Sequence, residues 1–98
     1  MNLEIKHQPG EHKGSFQALL QGEALGEMTY SLSGEIMIID HTEADDRLKG
    51  MGAGLKMLLA AVAWARAEKL KIVPLCPFAK SVFDKKHSEY EDVLKPGW

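Results

Sequence analysis

The chain has 98 residues, 45% apolar and 27% charged, close to an average soluble globular protein. That length fits one domain over residues 1–98 with no room for a second, and burying roughly 60–65% of the unfolded surface allows a modest core. The 12 Lys and Arg against 14 Asp and Glu give a net charge of −2, without the basic excess of a nonspecific nucleic-acid binder. A single cysteine, Cys76, excludes an intramolecular disulfide and with it a disulfide-stapled secreted domain. The stretch Met1–His7 has no apolar run of the signal-peptide kind. The uncharged run Met57–Ala65 falls far short of the ~20 residues needed to cross a bilayer. The expectation is a reducing cytoplasm, with neither membrane nor nucleic acid as partner.

The first half reads as strands. Leu3–Lys6 alternates apolar and charged residues, as a half-buried strand does. Gln8–Gly14 is turn chemistry, with Pro9, Gly10 and Gly14 as breakers. Ser15–Leu19 alternates again, Gln21–Glu23 is a short connection, and Glu23–Leu32 alternates through Ala24, Gly26, Met28 and Tyr30. Ser33-Gly34 reads as a tight turn, and Glu35–His41 is the most apolar strand, hence a central one. The short connections predict a four-stranded antiparallel meander.

The pattern then changes. Thr42–Gly54 is polar and glycine-rich. Leu55–Lys69 reads as a helix, rich in Ala and Leu, with Leu55, Leu58, Leu59, Val62 and Ala65 on one stripe. Arg66 and Lys69 complement the dipole in its last turn, and Trp64 falls at the edge of the stripe. Lys71–Cys76 is a short strand whose Pro74 cannot donate to a ladder, so it sits at an edge or the sheet opens there. Pro77–Lys86 reads as a second helix, with Pro77 at its first position and Phe78 and Val82 one turn apart. Glu89–Trp98 reads as a short polar tail. The strand–helix–strand unit is a right-handed crossover that sets the fifth strand parallel to the fourth. The fold class is therefore α+β: a meander, a βαβ crossover and a short C-terminal helix.

The stretch Arg47-Leu48-Lys49-Gly50-Met51-Gly52-Ala53-Gly54 joins the central strand to the long helix. Glycines at 50, 52 and 54 let the backbone turn tightly and approach a ligand. The helix start then aims several N–H groups and a positive dipole end at one spot, a site suited to phosphate, with Lys49 and Lys56 adding charge. A plain connector of the same composition is the other reading. A dinucleotide fingerprint would need glycine at Leu55, and a P-loop would need Gly-Lys-Ser/Thr where Gly54-Leu55-Lys56 stands.

This arrangement resembles the acetyl-CoA-binding core of the GNAT N-acetyltransferase superfamily, whose motif is Gln/Arg-x-x-Gly-x-Gly/Ala. Arg47-x-x-Gly50-x-Gly52 matches it literally; a register beginning at Lys49 better fits a helix that starts at Leu55, with Lys in place of Gln/Arg. Asp40–Asp46, the glycine loop, the helix and Ile72-Val73-Pro74-Leu75-Cys76-Pro77-Phe78 together resemble the very small stand-alone YjdJ-type branch, over about residues 15–94. The resemblance implies that backbone N–H groups of residues 49–54 (Lys49, Gly50, Met51, Gly52, Ala53, Gly54) hold the pyrophosphate of coenzyme A. It also implies that pantetheine lies between strands four and five, beside His41 and Thr42.

Within that frame Cys76 is the N-cap of the second helix, where a dipole favours the thiolate. It could accept the acetyl group or donate a proton to the departing sulfur; a small buried hydrophobe is the alternative. His41 ends the central strand, where an imidazole can take the proton an alkyl ammonium (pKa ~10.4) must lose, or can simply bond the neighbouring loop. Glu43, Asp45 and Asp46 could attract a cationic acceptor, or cap turns. Phe78 could pack on pantetheine or adenine, with core packing the competing expectation, and Lys80 could reach a phosphate or face solvent. His7, His12 and His87 show no metal-ligand spacing, so no metal is expected.

The resulting expectation is an acetyl-CoA-dependent N-acetyltransferase with Cys76 and His41 as catalytic candidates. Its acceptor would be an amine, on a protein, peptide or small molecule, at an open site, because only residues 8–14 stand where larger relatives carry helices. A non-catalytic coenzyme A-binding module is the alternative. The oligomeric state is left open, a monomer being compatible with the chain.

Overall fold

The computed structural model describes residues 2–97. In chain order it contains β1 (Leu3–Gln8), β2 (Lys13–Leu20), β3 (Glu23–Ser33), β4 (Ile36–Ala44), a 3₁₀ turn (Asp46–Leu48), α1 (Ala53–Ala67), β5 (Lys71–Pro74), α2 (Pro77–Lys85) and α3 (His87–Tyr90). The five strands form one sheet in sequence order. β1 to β4 pair antiparallel, and β4 pairs parallel with β5, from Ile36 beside Lys71 to Ile39 beside Pro74. This is the expected α+β architecture. The β2–β3 turn is made by Gln21 and Gly22, both at positive φ (52° and 83°), the two-residue geometry whose twist matches that of the strands.

One sheet face is buried under α1. Phe16, Ala18, Met28, Tyr30, Met37 and Ile39 of the sheet meet Met57, Leu58, Ala61, Val62 and Ala65 of the helix. The helix stripe differs from the expected one. Leu55 and Leu59 are 43% and 44% exposed, while Met57 and Ala61 are buried. Apolar residues lie on both flanks of this helix, so periodicity alone could not choose between them. The face with three alanines (Ala53, Ala61, Ala65) turned to the sheet, where small side chains permit a close approach. Trp64 packs at the edge, its ring 4.6 Å from that of His7 and 5.4 Å from that of Tyr30.

Two other expectations are corrected. Lys69 lies beyond the last helical turn at φ 59°, turning the chain into β5. Residues after Glu89 are not a polar tail: Tyr90, Val93 and Leu94 are buried. Leu94 bridges Ile72, with Ile72 N–H donating to Val93 O at 2.7 Å and Lys95 N–H to Ile72 O at 3.0 Å. The Arg66 guanidinium fixes the segment through Asp92 at 2.8 and 3.0 Å. The spacing 90, 93, 94 is one apolar helical face, masked by its charged neighbours.

The opposite sheet face carries Gln17, Glu27, Thr29, Ser31, His41 and Glu43, and no helix crosses it among the described residues.

Candidate active site

The site begins where β4 and β5 part. Pro74, beside Ile39, has no N–H. The next two amides, of Leu75 and Cys76, both turn back to Ile39 O at 3.1 and 3.0 Å, and the chain leaves into α2. On β4, Asp40 is an extra residue: Tyr30 faces Ile39 but Thr29 faces His41. Such a bulge bends its strand and re-aims the side chains after it. Past Ile39 the sheet is a wedge, with His41–Ala44 paired to β3 on one side and, among the described residues, to no strand on the other.

Across the wedge, Thr42 Oγ1 and Cys76 Sγ are hydrogen bonded at 3.1 Å. Cys76 is 3% exposed and occupies the N-cap of α2 with extended backbone (φ −67°, ψ 125°). Its side chain makes no capping bond, which leaves the sulfur to Thr42. Thr42 shares the sheet face of its partner Met28, in the core. His41 and Glu43 project from the other face, and His41 Nε2 lies 2.8 Å from Glu43 Oε1, both side chains exposed. The two catalytic candidates are therefore on opposite faces of β4, and the neighbour of Cys76 is Thr42.

The glycine loop is built from its buried end. Asp45 caps the 3₁₀ turn, its carboxylate accepting from Arg47 N–H at 2.8 Å and Arg47 Nε at 3.0 Å. These bonds hold the Asp45 carboxyl below its ordinary range and the Arg47 guanidinium above its own. Arg47 also spans to Glu23, at 3.3 Å, and Leu48 is buried beneath the loop. Gly50 and Gly52 then take left-handed backbone (φ 80° and 71°), conformations that glycine adopts without strain. Gly52 is the N-cap of α1, so it offers no capping side chain, and the first turn holds no acidic residue. Among the described residues no acceptor lies within hydrogen-bond reach of the N–H groups of Gly50, Gly52, Ala53, Gly54 or Leu55. A run of such donors at the positive end of a 15-residue helix is complementary to an anion.

Because α1 starts at Ala53 and not at Leu55, the spacing argument for a register beginning at Lys49 no longer holds. The literal motif Arg47-x-x-Gly50-x-Gly52 ends at the cap, although the Arg47 side chain turns away to Glu23 and Asp45. Lys49 and Lys56 are exposed on either side of the cap, and Met51 is half-buried. Phe78 does not join the core: it is 38% exposed, and its ring lies over Gly54, 3.0 Å from where a Cβ would be. Lys80 is paired with Asp84 at 2.8 Å, one turn along α2.

On the uncovered face, at the His41–Glu43 end, is a cavity of about 530 Å³ lined in part by Gln17, Glu23, Glu27, Glu43, Asp45 and Arg47. Gln17 and Glu27 were not singled out from the sequence. Only strand pairing, Gln17 beside Glu27 and Glu27 beside Glu43, brings them together.

The sequence profile described as GCN5-related N-acetyl-transferase matches residues 15–93, which include the wedge, the glycine loop, Cys76 and α2. The chain belongs to this family. It is an N-acetyltransferase by that membership. A GCN5-like protein of Staphylococcus aureus, known from its solution structure, is 43% identical, with 96% of this chain aligned to 89% of that one and a TM-score of 0.70. The ribosomal-protein-alanine N-acetyltransferase of Brucella melitensis biovar Abortus 2308 shares the fold at 16% identity, over 91% of this chain and 66% of its own, with a TM-score of 0.65. AAC(6')-Iy, solved with the bisubstrate analogue CoA-S-monomethyl-acetylneamine, does so at 14% identity over 91% and 66%, with a TM-score of 0.59. No functionally curated protein matches the chain in sequence. No helix among the described residues is long and apolar enough to cross a membrane.

Proposed function

We propose that the protein takes the acetyl group of acetyl-CoA and delivers it to an amine, with Cys76 as the acyl carrier. The observation that carries this reading is the glycine-capped, acid-free start of α1, where five neighbouring N–H groups await an anion beside the wedge across which Thr42 and Cys76 are hydrogen bonded. These residues fit coenzyme A. Gly50, Gly52, Ala53 and Gly54 donate to its pyrophosphate, with Lys49 and Lys56 at the rim; hydrogen bonds to a charged group contribute about 1.5–3 kcal/mol each. Its pantetheine arm then follows β4 past Thr42 to bring the thioester to Cys76. What acetyl-CoA supplies is an activated acyl group.

The chain's own part is positioning and proton movement. Cys76 Sγ attacks the acetyl carbon, the bond from that carbon to the sulfur of coenzyme A breaks, and the thiol proton leaves with that sulfur. Thr42, hydrogen bonded to Cys76 Sγ, fixes the direction of the sulfur. In the second half the neutral amine attacks acetyl-Cys76, the carbon–sulfur bond breaks, and the proton lost by the attacking nitrogen passes to the cysteine sulfur and restores the thiol. The amine enters from the uncovered face, where its ammonium form first gives up a proton to His41, bonded to Glu43, and the neutral amine then reaches acetyl-Cys76 through the wedge. That face has no covering helix among the described residues, which suits an acceptor side chain on a larger molecule as well as a small amine.

The test is a calorimetric titration with acetyl-CoA followed by intact mass measurement without acceptor. Micromolar binding and a single acetyl adduct, absent from Cys76→Ser, support the reading. Binding with no adduct but with turnover that Cys76→Ser abolishes makes Cys76 the proton donor to the leaving sulfur. Binding with neither adduct nor turnover leaves a coenzyme A-binding module.

A further inference from the structure

The sheet has two edges, and the chain treats them differently. β5 is four residues long and carries Pro74. Its outer side is occupied: Leu94 bridges Ile72, and Ile72 exchanges backbone hydrogen bonds with Val93 and Lys95. The other edge is β1, six residues long and paired with β2 without a bulge. It contains no proline, and among the described residues no strand pairs with its outer side. No turn or loop backbone group among them bonds to residues 3–8 either. A straight edge of that length presents alternate N–H and C=O groups to any strand that comes alongside.

The side chains of β1 divide by face. Leu3, Ile5 and His7 are half-buried on the side of α1, where the ring of Trp64 lies 4.6 Å from that of His7. Unlike the other four strands, β1 holds no fully buried residue, so its apolar row is left without a neighbour on one flank. Glu4 and Lys6 are exposed on the opposite face. Among the described residues neither has an ion-pair partner.

The strand is complementary to itself. Residues directly opposite in an antiparallel pair share a face, so a second β1 keeps the apolar row continuous only where odd positions oppose odd ones. Centred on Ile5, that pairing sets Glu4 opposite Lys6 and Lys6 opposite Glu4, with Ile5 opposite its own copy and Leu3 opposite His7. The two neighbouring registers of the same parity centre on Glu4 or on Lys6, and each sets like charges face to face. The charges thus select one register.

We propose that β1 is a homodimer edge: two copies pair antiparallel through Leu3–Gln8 about a two-fold axis at Ile5, joining their five-stranded sheets into one. The contact is isologous, and because β5 is already closed the assembly stops at two. Both α1 helices then lie on one side of the joined sheet, and both uncovered faces, each with its His41–Glu43 pair, lie on the other. One strand pair with its flanking side chains is at the small end of specific interfaces, which sets a dissociation constant on the order of 10–100 µM.

The experiment is sedimentation equilibrium of the full chain over a concentration series spanning that constant. The wild type is expected to pass from monomer to dimer. Glu4→Lys turns both opposite-charge contacts into like-charge ones and is expected to weaken the dimer by about tenfold or more, as is Lys6→Glu. The double variant Glu4→Lys/Lys6→Glu reverses both members of each pair and is expected to dimerise as the wild type does. A mixture of the two single variants is expected to form the hetero-pair. Both positions are exposed, so the fold does not depend on them. Alternate β1 amides are expected to exchange more slowly with deuterium as concentration rises. A wild type that dimerises with an affinity the single reversals leave unchanged overturns the proposal, as does a double variant that stays as weak as the single ones. A wild type that is monomeric throughout overturns it too, and leaves this edge to a strand from another protein.

Discussion

The cap of α1 offers the sharpest perturbation. Gly52→Asp places a carboxylate where a Cβ would have no atom within 4 Å, so nothing is displaced. The fold meets two opposed effects. A non-glycine residue at φ 71° is strained by about 1–2 kcal/mol, while an acid at a helix N-terminus returns about 0.3–1 kcal/mol. The net loss of about 1 kcal/mol lowers the melting temperature by roughly 4–8 °C in a domain of this size. Ligand binding meets a larger effect. The new carboxylate lies about 4 Å from the anion the cap would hold, and a like-charge pair at that distance is worth about 1 kcal/mol in water and about 4 kcal/mol at the effective dielectric of a protein surface. Acetyl-CoA affinity is therefore expected to fall by roughly 30- to 1,000-fold, a loss of about 2–4 kcal/mol. Gly52→Ala carries the same backbone strain without the charge, and its affinity is expected to stay within about threefold of the wild type. Calorimetry on both variants, with thermal melts to confirm folding, reads the difference. A folded Gly52→Asp protein that binds acetyl-CoA as the wild type does would refute the assignment of an anion to this cap.

Other expectations follow from single contacts. Thr42→Val keeps the shape of the side chain and deletes its bond to Cys76; the rate of Cys76 acetylation, followed by intact mass, is expected to fall roughly tenfold, with Thr42→Ser restoring most of it. His7, stacked on Phe16 at 4.1 Å and bonded to Tyr30 Oη at 2.6 Å, has its pKa lowered from 6.5 by burial. The folded state therefore disfavours the imidazolium, and stability is full above the unfolded value of 6.5 and declines as pH falls below it. Denaturant midpoints at successive pH values, read by Trp fluorescence, should show that decline, and His7→Gln should flatten it. The paired carboxylates Asp45 and Asp92, held below their ordinary 3.8, act only at more acid pH. Phe83→Ala empties a fully buried site against Tyr90, whose ring is 5.0 Å away. Chemical denaturation should record a loss of about 3–5 kcal/mol.

The sheet and its crossover were legible because the first three strands alternate, the fourth is the most apolar and the turns carry their own chemistry. Pro74 alone pointed to an edge or an opening of the sheet at β5, and β5 is both the edge strand and the place where the sheet parts. The bulge at Asp40 was not legible: nothing in Ile36–Ala44 marks one residue as extra, and the insertion exists only relative to the register of β3. Its consequence, placing Thr42 inward and His41 outward, decides which candidate neighbours Cys76. The same limit hid Gln17 and Glu27, whose neighbours are set by pairing and not by sequence distance. Leu55 and Leu59 were misplaced for another reason. Apolar patterning says that a side chain leaves water, not whether protein or ligand covers it. On α1 the sheet took the alanine-rich face and left Leu55 and Leu59 outside.

The wedge itself is open to a direct test. Residues His41–Ala44 are paired with β3 on one side, while on the other β5 has already departed at Leu75. Backbone amides of this stretch that point away from β3 have no strand partner among the described residues, a condition that strands in sheets otherwise avoid. A pantetheine arm carries two amides and lies in the wedge in the function proposed here. Those β4 amides are then expected to exchange more slowly with deuterium when acetyl-CoA is bound. Adenosine 3′,5′-bisphosphate, which lacks the arm, should leave them unchanged. Unchanged exchange at positions 41–44 under saturating acetyl-CoA would mean that the arm does not follow β4, and the delivery of a thioester to Cys76 would lose its route.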